Sequence, residues 1–202
     1  MSAAPAPLLP RVHLIRHGET AWSLSGQHTG RTDITLTEHG EEQARALAPV
    51  LGAINFDHVF VSPRQRARQT CDLAGLGAMA QISEDLAEWD YGDYEGLRSE
   101  EIRRQRADWS IYRDGCPNGE MPAQVTARVD RLLARLRRLS GNVALFTHGH
   151  IGAAIGARWI ELPLVEARHL SLATASLSIL APDQHHDNVP VLALWNATAL
   201  RP

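Results

Sequence analysis

Short apolar runs alternate with amphipathic segments along most of the chain. Three runs have the length of buried strands: Val12–Arg16, His58–Val61 and Val143–Thr147. Two further β-like runs lie near the C-terminus, at about Ser176–Leu180 and Val189–Trp195. Runs of four to eight apolar residues bounded by turn-forming residues are typical of strands. We therefore predict a strand at each of these positions.

Segments with apolar residues at helical spacing separate the predicted strands. Thr37 is the expected N-cap of a helix that runs to about Leu51. Ser62 is the expected N-cap of the next helix, with Pro63 at its first position and an end at about Leu73. The other predicted helices are at about Glu100–Arg106, Ala123–Leu139 and Ile151–Ile160.

Residues 22–35 and most of residues 84–121 lack a regular period and are predicted to be loops. Elsewhere strands alternate with helices, which is typical of a parallel sheet covered by helices. We therefore predict an α/β fold, a three-layer sandwich with a largely parallel central sheet. Residues 11–202 are expected to form one domain, and residues 1–10, rich in alanine and proline, a disordered N-terminal extension.

Composition narrows the functional classes. The 202 residues include 20 basic and 23 acidic side chains without a sustained basic patch, so nucleic acid is not an expected partner. No apolar stretch approaches the roughly 20 residues that span a bilayer, so no membrane association is predicted. The first ten residues lack a basic region and contain three prolines, which argues against a signal peptide. With Cys71 and Cys116 too few for a disulfide framework, we predict a cytoplasmic protein.

Charged and polar side chains follow three of the predicted strands. The first strand runs into Arg16 and His17, the second is followed by Arg64, and the third by His148. Because ligands in open α/β sheets bind outside the carboxyl ends of strands, these four side chains are expected to converge on one crevice. Arginine matches phosphate oxygens with two parallel N–H donors, so the ligand implied is a small phosphate ester.

Each histidine also has a structural interpretation. A histidine that follows a strand is more often structural than catalytic, and for His148 alone the two interpretations are balanced. The neighbouring Arg16 and Gly18 favour a catalytic His17, since glycine lets a substrate approach the backbone closely. We interpret His150 as structural.

The segment Leu14–Thr20, with the sequence LIRHGET, resembles the signature of the histidine phosphatase superfamily, in its phosphoglycerate-mutase-like branch. Further segments resemble that family in the same order along the chain. They are Thr29–Gly40, Ser62–Thr70 (family pattern S-P-x-x-R-A-x-Q-T), Glu88–Gly96, Asn118–Glu120 and Phe146–Gly149. The resemblance covers about residues 12–160. It implies a phosphoglycerate-mutase-like fold and a phosphatase that needs no metal or other cofactor.

The resemblance also implies catalytic roles. His17 resembles the nucleophile that becomes phosphohistidine, and Glu88 resembles the proton donor. Arg16, Arg64 and His148 resemble the rest of the phosphate pocket, where two arginines and a protonated His148 would supply positive charge. His17 must be neutral at its attacking nitrogen, so its other nitrogen is expected to donate to a backbone carbonyl.

Four further residues are candidates for substrate binding. Ser23, Thr29 and Gly30 match family positions that contact phosphate or substrate, although the mutases have asparagine at the position of Ser23. Tyr91 is one of the aromatic residues that could shape the substrate pocket. Glu120 matches a motif residue for which we predict a structural role.

The motifs resemble the acid phosphatase and sedoheptulose-bisphosphatase-like members of the family more than the mutases. The predicted function is therefore hydrolysis of small phosphate esters, such as sugar phosphates or similar metabolites, through a phosphohistidine on His17. The main alternative is a cofactor-dependent phosphoglycerate mutase, which needs a lid to hold its phosphohistidine away from water. More distant alternatives are a metallohydrolase using His148, His150 and His185–Asp187, and a non-catalytic phosphate-binding module. The physiological substrate and the oligomeric state, including a homodimer, stay open.

Overall fold

The central feature of the fold is one sheet of six strands in the order β3-β2-β4-β1-β5-β6. A computed structural model describes residues 9–198. The strands are β1 (Arg11–Arg16), β2 (His58–Val61), β3 (Ala80–Ile82), β4 (Asn142–Thr147), β5 (Leu177–Asp183) and β6 (Val189–Ala197). The pairs β1–β4, β2–β4 and β2–β3 are parallel, whereas β1–β5 and β5–β6 are antiparallel. The predicted largely parallel sheet is confirmed, with an antiparallel edge at its C-terminal side.

Helices cover both faces of this sheet, which confirms the predicted three layers. They are α1 (Ala21–Ser25), α2 (Glu38–Gly52), α3 (Gln65–Leu73), α4 (Ser99–Gln105), α5 (Ile111–Asp114), α6 (Pro122–Leu136) and α7 (Gly149–Trp159). Short 3₁₀ turns lie at Gly77–Met79, Glu84–Leu86, Gly92–Tyr94 and Leu164–His169. Within residues 9–198, no helix combines the length and apolar character needed to cross a membrane.

Two apolar cores fill the space between the layers. Leu14 belongs to the core that also contains the buried faces of α6 and α7, whereas its neighbour Ile15 belongs to the core under α2 and α3. Both side chains have no exposed surface. Successive residues of a strand point to opposite faces, so a strand covered on both sides is apolar at consecutive positions. This explains why the central strands were recognisable as short continuous apolar runs.

The predicted loops contain more regular structure than expected. Residues 22–35 include most of α1. Thr20 and Ser23 cap the start of this helix, since the backbone N–H of each donates to the side-chain hydroxyl of the other. Within residues 84–121, α4 confirms the helix predicted at about Glu100–Arg106, whereas α5 and two of the 3₁₀ turns were not predicted. The unpredicted elements are three to five residues long, which is too short to show a hydrophobic period. The predicted N-terminal extension lies almost entirely outside the described residues.

The predicted start of α3 was wrong. Ser62 does not cap this helix, because Arg64, whose backbone is extended, is the actual N-cap and the helix begins at Gln65. The first helical N–H, on Gln65, donates to the carboxylate of Asp33 over 2.7 Å. A side chain 32 positions away therefore satisfies this helix end, and the Ser62 hydroxyl oxygen instead accepts the N–H of Arg64 over 3.3 Å.

The loop after β1 packs directly on the first turn of α2. A Cβ on Gly18 would overlap the backbone carbonyl of Gly40, and a Cβ on Gly40 would overlap the backbone of Glu19. The N–H of Thr37, the N-cap of α2, donates to the carbonyl of Glu19 over 2.9 Å. Gly18 is therefore required for close packing of two backbones, and not only for access of a substrate.

We expect Gly40→Ala to destabilise the fold by roughly 1–3 kcal/mol, because the added methyl group meets a backbone that cannot rotate away. Gly52→Ala is the matched control, since a Cβ there meets nothing within 4 Å. The control should be neutral or more stable by up to about 1 kcal/mol, since alanine favours helix. Urea unfolding of both variants measures the difference. Equal stabilities would contradict the close packing of these two backbones.

Candidate active site

The carboxyl ends of β1, β2 and β4 meet beside one cavity. His17 follows β1, Ser62 follows β2 and His148 follows β4, and these strands are neighbours in the sheet. The cavity has a volume of about 370 Å³, and its wall includes Arg16, His17 and Glu88. The strand ends thus bring together the histidines that the sequence placed far apart, as expected for an open α/β sheet.

His17 is held in one tautomer. Its Nδ1 lies 2.7 Å from the carbonyl oxygen of Gly18. A carbonyl can only accept, so Nδ1 carries the proton and Nε2 keeps its lone pair. The pKa of His17 is well below its usual value, mainly because the ring is buried, and further because Arg66 and Arg16 repel a positive charge. His17 is therefore neutral, with the form that a nucleophile requires.

His148 lies beside this ring, with the two ring centroids 5.1 Å apart. Its Nε2 is 2.7 Å from the hydroxyl oxygen of Ser62. Burial lowers the pKa of His148 well below its usual value, and the charge of Arg66 and the His17 ring lower it further. Without an anion in the pocket His148 is therefore neutral, and its protonation with phosphate bound stays a prediction.

Three arginines place positive charge around the histidines. Arg16 donates from Nη1 to the carbonyl of Leu172. Arg66 is fully buried and donates to the carbonyls of Thr32 and Thr29 over 3.1 and 2.7 Å. Its charge acts on both His17 and His148, whereas that of Arg64 acts on His148.

Arg66 is a residue that the sequence reasoning missed. In the pattern S-P-x-x-R-A-x-Q-T, Arg66 occupies the position of the fixed arginine and Arg64 a variable one. The pattern itself therefore contained the signal. Arg64 stays a predicted site residue, placed at the N-cap of α3 instead of within its first turn.

Glu88 is a buried carboxylate and not a solvated loop residue. One of its oxygens accepts the backbone N–H groups of Trp89 and Ile151, each over 2.9 Å, and the other accepts that of His150 over 3.0 Å. His150 and Ile151 lie in the first turn of α7, where unpaired N–H groups favour a negative charge. The same carboxylate lies in the cavity wall.

The predicted substrate-binding residues divide into two groups. Ser23, Thr29 and Tyr91 line the cavity. The N–H of Gly30 already donates to both oxygens of Glu95, over 2.8 and 3.1 Å. A Cβ on Gly30 would overlap the backbone of Trp89. The structure thus gives Gly30 a packing role.

Two other predictions concern residues outside the phosphate pocket. Glu120 pairs with Arg128 over 2.7 Å and accepts the N–H of Asp90 over 3.0 Å, which agrees with a structural role. His150, interpreted as structural, lies in the cavity wall with its Nδ1 2.6 Å from the hydroxyl oxygen of Tyr91. Its side chain is therefore available to a ligand.

The alternative chemistries find little support in the geometry. Within residues 9–198, no group of three or more His, Cys, Asp or Glu side chains is arranged to hold a metal ion. His186 pairs with Asp183 over 2.9 Å in an exposed turn between β5 and β6. Burial raises the pKa of both Cys71 and Cys116 to about 12, so neither thiol is activated as a nucleophile.

Known proteins resemble this chain over nearly its whole length. The model of the histidine phosphatase superfamily (branch 1) matches residues 12–198. An acid phosphatase of Mycobacterium tuberculosis is 43% identical over 188 residues, which cover 91% of this chain and 92% of that protein. The sedoheptulose 1,7-bisphosphatase of Saccharomyces cerevisiae is 38% identical, with coverages of 77% and 69%. The solved structure of a Mycobacterium tuberculosis open reading frame has a TM-score of 0.86 and 40% identity, covering 94% of this chain and 98% of that one.

The buried histidines should make the fold sensitive to acid. Burial and the neighbouring His150 lower the pKa of His28 from 6.5 to about 4. Between these pH values the unfolded chain binds more protons than the folded one, so the free energy of unfolding falls as the pH falls. From pH 7.5 to 5, His28 alone should account for a loss of about 2 kcal/mol.

The variant His28→Phe keeps a ring at this position and cannot titrate. Urea unfolding at pH 7.5 and pH 5 should show a smaller loss of stability on acidification in the variant than in the wild type. If both proteins lose the same stability, His28 is not held neutral by the fold.

Proposed function

We infer, because the chain belongs to branch 1 of the histidine phosphatase superfamily, that it hydrolyses small phosphate monoesters through a phosphohistidine on His17. The observation that carries this proposal is the neutral, oriented imidazole of His17, whose reactive Nε2 lies among buried guanidinium groups. A phosphoryl group in transfer needs positioning and charge stabilisation more than covalent assistance. The pocket supplies both.

In the first step, Nε2 of His17 attacks phosphorus and the bond to the ester oxygen breaks. We propose that Arg16, in the cavity wall, and Arg66, whose charge acts on His17, stabilise charge on the non-bridging oxygens, and we assign Arg66 to the pocket alongside the predicted Arg64. Nδ1 stays bonded to the Gly18 carbonyl throughout, so the ring keeps its orientation as it becomes positively charged. That carbonyl also stabilises the positive charge.

The charge of His148 depends on whether an anion is bound. His148 is neutral without an anion, because burial lowers its pKa and the surrounding arginines lower it further. A phosphate dianion in the pocket acts in the opposite direction and favours protonation of His148. Positive charge would then be greatest when the substrate is bound. Ser62 keeps the imidazole oriented through its bond to Nε2.

Glu88 is the proposed acid and base. The Glu88 carboxylate first takes up a proton from solvent water; the leaving alkoxide then takes that proton, and the alcohol departs. A water molecule then attacks phosphorus, Glu88 takes a proton from that water, and cleavage of the P–N bond releases inorganic phosphate and restores His17. Three backbone N–H groups fix the carboxylate in the cavity wall for both steps.

The substrate class follows from the relatives and the size of the cavity. Relatives named acid phosphatase and sedoheptulose 1,7-bisphosphatase support sugar phosphates or similar metabolites. A cavity of about 370 Å³ suits a small ester. The cytoplasmic location and the homodimer stay predictions.

The nucleophile can be tested directly. Rapid quenching with a labelled phosphate ester should trap an acid-labile, base-stable phosphoenzyme in the wild type and none in His17→Ala. His39→Ala, a change at a largely exposed histidine of α2, is the matched control and should form the phosphoenzyme normally. Label that persists in His17→Ala would refute the assignment.

Primer-dependent isomerisation of 3-phosphoglycerate with negligible phosphate release would identify a mutase instead.

The role of Glu88 can be tested through the leaving group. General acid catalysis contributes roughly 10²–10⁴-fold and matters most for poor leaving groups. Glu88→Gln should therefore slow phosphorylation by a sugar phosphate far more than phosphorylation by p-nitrophenyl phosphate, whose phenolate leaves without a proton. Single-turnover rates measure the comparison. Equal losses on both esters would show that Glu88 is not the proton donor.

A further inference from the structure

Part of the cavity wall consists of side chains that the phosphoryl-transfer steps do not use. His28, Tyr91, Ser99, Tyr112 and His150 line the same cavity as the nucleophile, and we call them the histidine wall. The rings of His28 and Tyr91 stack with centroids 4.6 Å apart, and the ring of His150 lies 5.6 Å from that of His28. This packing holds both imidazoles in fixed positions.

His150 presents a hydrogen-bond donor to the cavity. Burial lowers the pKa of His150 to about 4 and raises that of Tyr91 well above its usual value, so both groups are neutral. Within the described residues, the Tyr91 hydroxyl has one hydrogen-bond partner, Nδ1 of His150, over 2.6 Å. If the phenol donates to Nδ1, the ring proton resides on Nε2.

His28 offers a second hydrogen-bonding nitrogen, which can donate or accept according to the tautomer of its ring. Its Nε2 lies 3.2 Å from the hydroxyl oxygen of Ser99, which can donate or accept. Within residues 9–198, Nδ1 of His28 and Nε2 of His150 have no hydrogen-bond partner. Nδ1 of His148 is also unpaired, but it is buried from solvent. Nδ1 of His28 and Nε2 of His150 are not among the unpaired buried atoms, so both are accessible. Each imidazole thus has one ring nitrogen held by the protein and one free for a ligand.

The histidine wall lies where the alcohol portion of the substrate must go. The backbone N–H of His150 donates to Glu88 over 3.0 Å, so this residue adjoins the proposed proton donor. Glu88 protonates the ester oxygen, which is the atom that joins phosphorus to the alcohol. The groups next to Glu88 therefore face the carbon side of that bond.

We propose that His28 and His150 are specificity-determining residues that bind hydroxyl groups on the alcohol portion of the substrate. This inference rests on the proposed function and narrows its substrates to polyhydroxy, sugar-like phosphate esters in preference to plain alkyl esters. A hydroxyl group both donates and accepts, which matches one fixed donor beside one adaptable partner. A purely apolar alcohol would leave both ring nitrogens unsatisfied when it displaced water.

A matched pair of substrates isolates this effect. Glycerol 3-phosphate and n-propyl phosphate have the same carbon chain and differ by two hydroxyl groups. The measurement is kcat/KM for both esters with the wild type, His28→Phe, His150→Phe and His185→Phe. Phenylalanine at position 28 retains a ring to stack on Tyr91, and His185, in an exposed turn, is the matched control.

In the wild type we expect kcat/KM to be at least about fourfold higher for glycerol 3-phosphate, since each of two neutral hydrogen bonds contributes a factor of roughly 2–13. His28→Phe and His150→Phe should each lower this ratio by about 3–10-fold, and His185→Phe should retain it. A wild-type ratio near one would overturn the proposal without any variant. A high ratio that both variants retain would overturn it equally.

Hydrolysis of p-nitrophenyl phosphate separates this proposal from the proposed function. A wild type that hydrolyses this ester but does not distinguish the two alkyl esters is a phosphatase without the hydroxyl subsite. A wild type that hydrolyses none of the three esters and forms no phosphoenzyme contradicts the proposed function itself.

Discussion

The bond between Nδ1 of His17 and the Gly18 carbonyl is the constraint on which the site depends. It decides which ring nitrogen has a free lone pair, and it can exist only if the loop after β1 has one conformation. Two contacts from other elements fix that loop. The Gly18 N–H donates to the Thr70 hydroxyl of α3 over 3.0 Å, and the backbone of Gly18 packs against Gly40 of α2. The orientation of His17, the proposed nucleophile, is therefore determined by helices on one face of the sheet.

The electrostatics of the pocket depend on arginines close to the two central histidines. Arg16, Arg64 and Arg66 all act on His148, and burial keeps both central histidines neutral. Buried positive charge costs free energy unless an opposite charge balances it. Glu88 provides one negative charge near Arg16 and Arg66, and a phosphate dianion would provide the rest. The pocket thus has an arrangement of charge that is best satisfied when an anion is bound, which a metal-free phosphatase requires.

Sequence reasoning predicted those parts of the molecule that local pattern determines. The strands that carry His17 and His148 were recognisable because both faces of the sheet are covered and the strands are continuously apolar. The start of α3 was not predictable in this way, because its first N–H is satisfied by Asp33, from a distant loop. The prediction placed the second arginine of the pocket at Arg64, although the family pattern also pointed to Arg66. The location of His150 in the cavity depends on the turn into α7, which no hydrophobic period reveals.

The first turn of α7 positions both Glu88, the proposed proton donor, and His150, which we propose to bind the substrate alcohol. The first N–H groups of α7 hold the Glu88 carboxylate, and the side chain of His150, from the same turn, reaches the hydroxyl of Tyr91. A shift of α7 would therefore move the proposed proton donor and the histidine wall together. The residues that we propose to bind phosphate come instead from the ends of β1, β2 and β4 and from α3. In this proposal separate elements hold the phosphoryl group and the alcohol, and the two groups of residues meet at the ester oxygen, where the bond is broken.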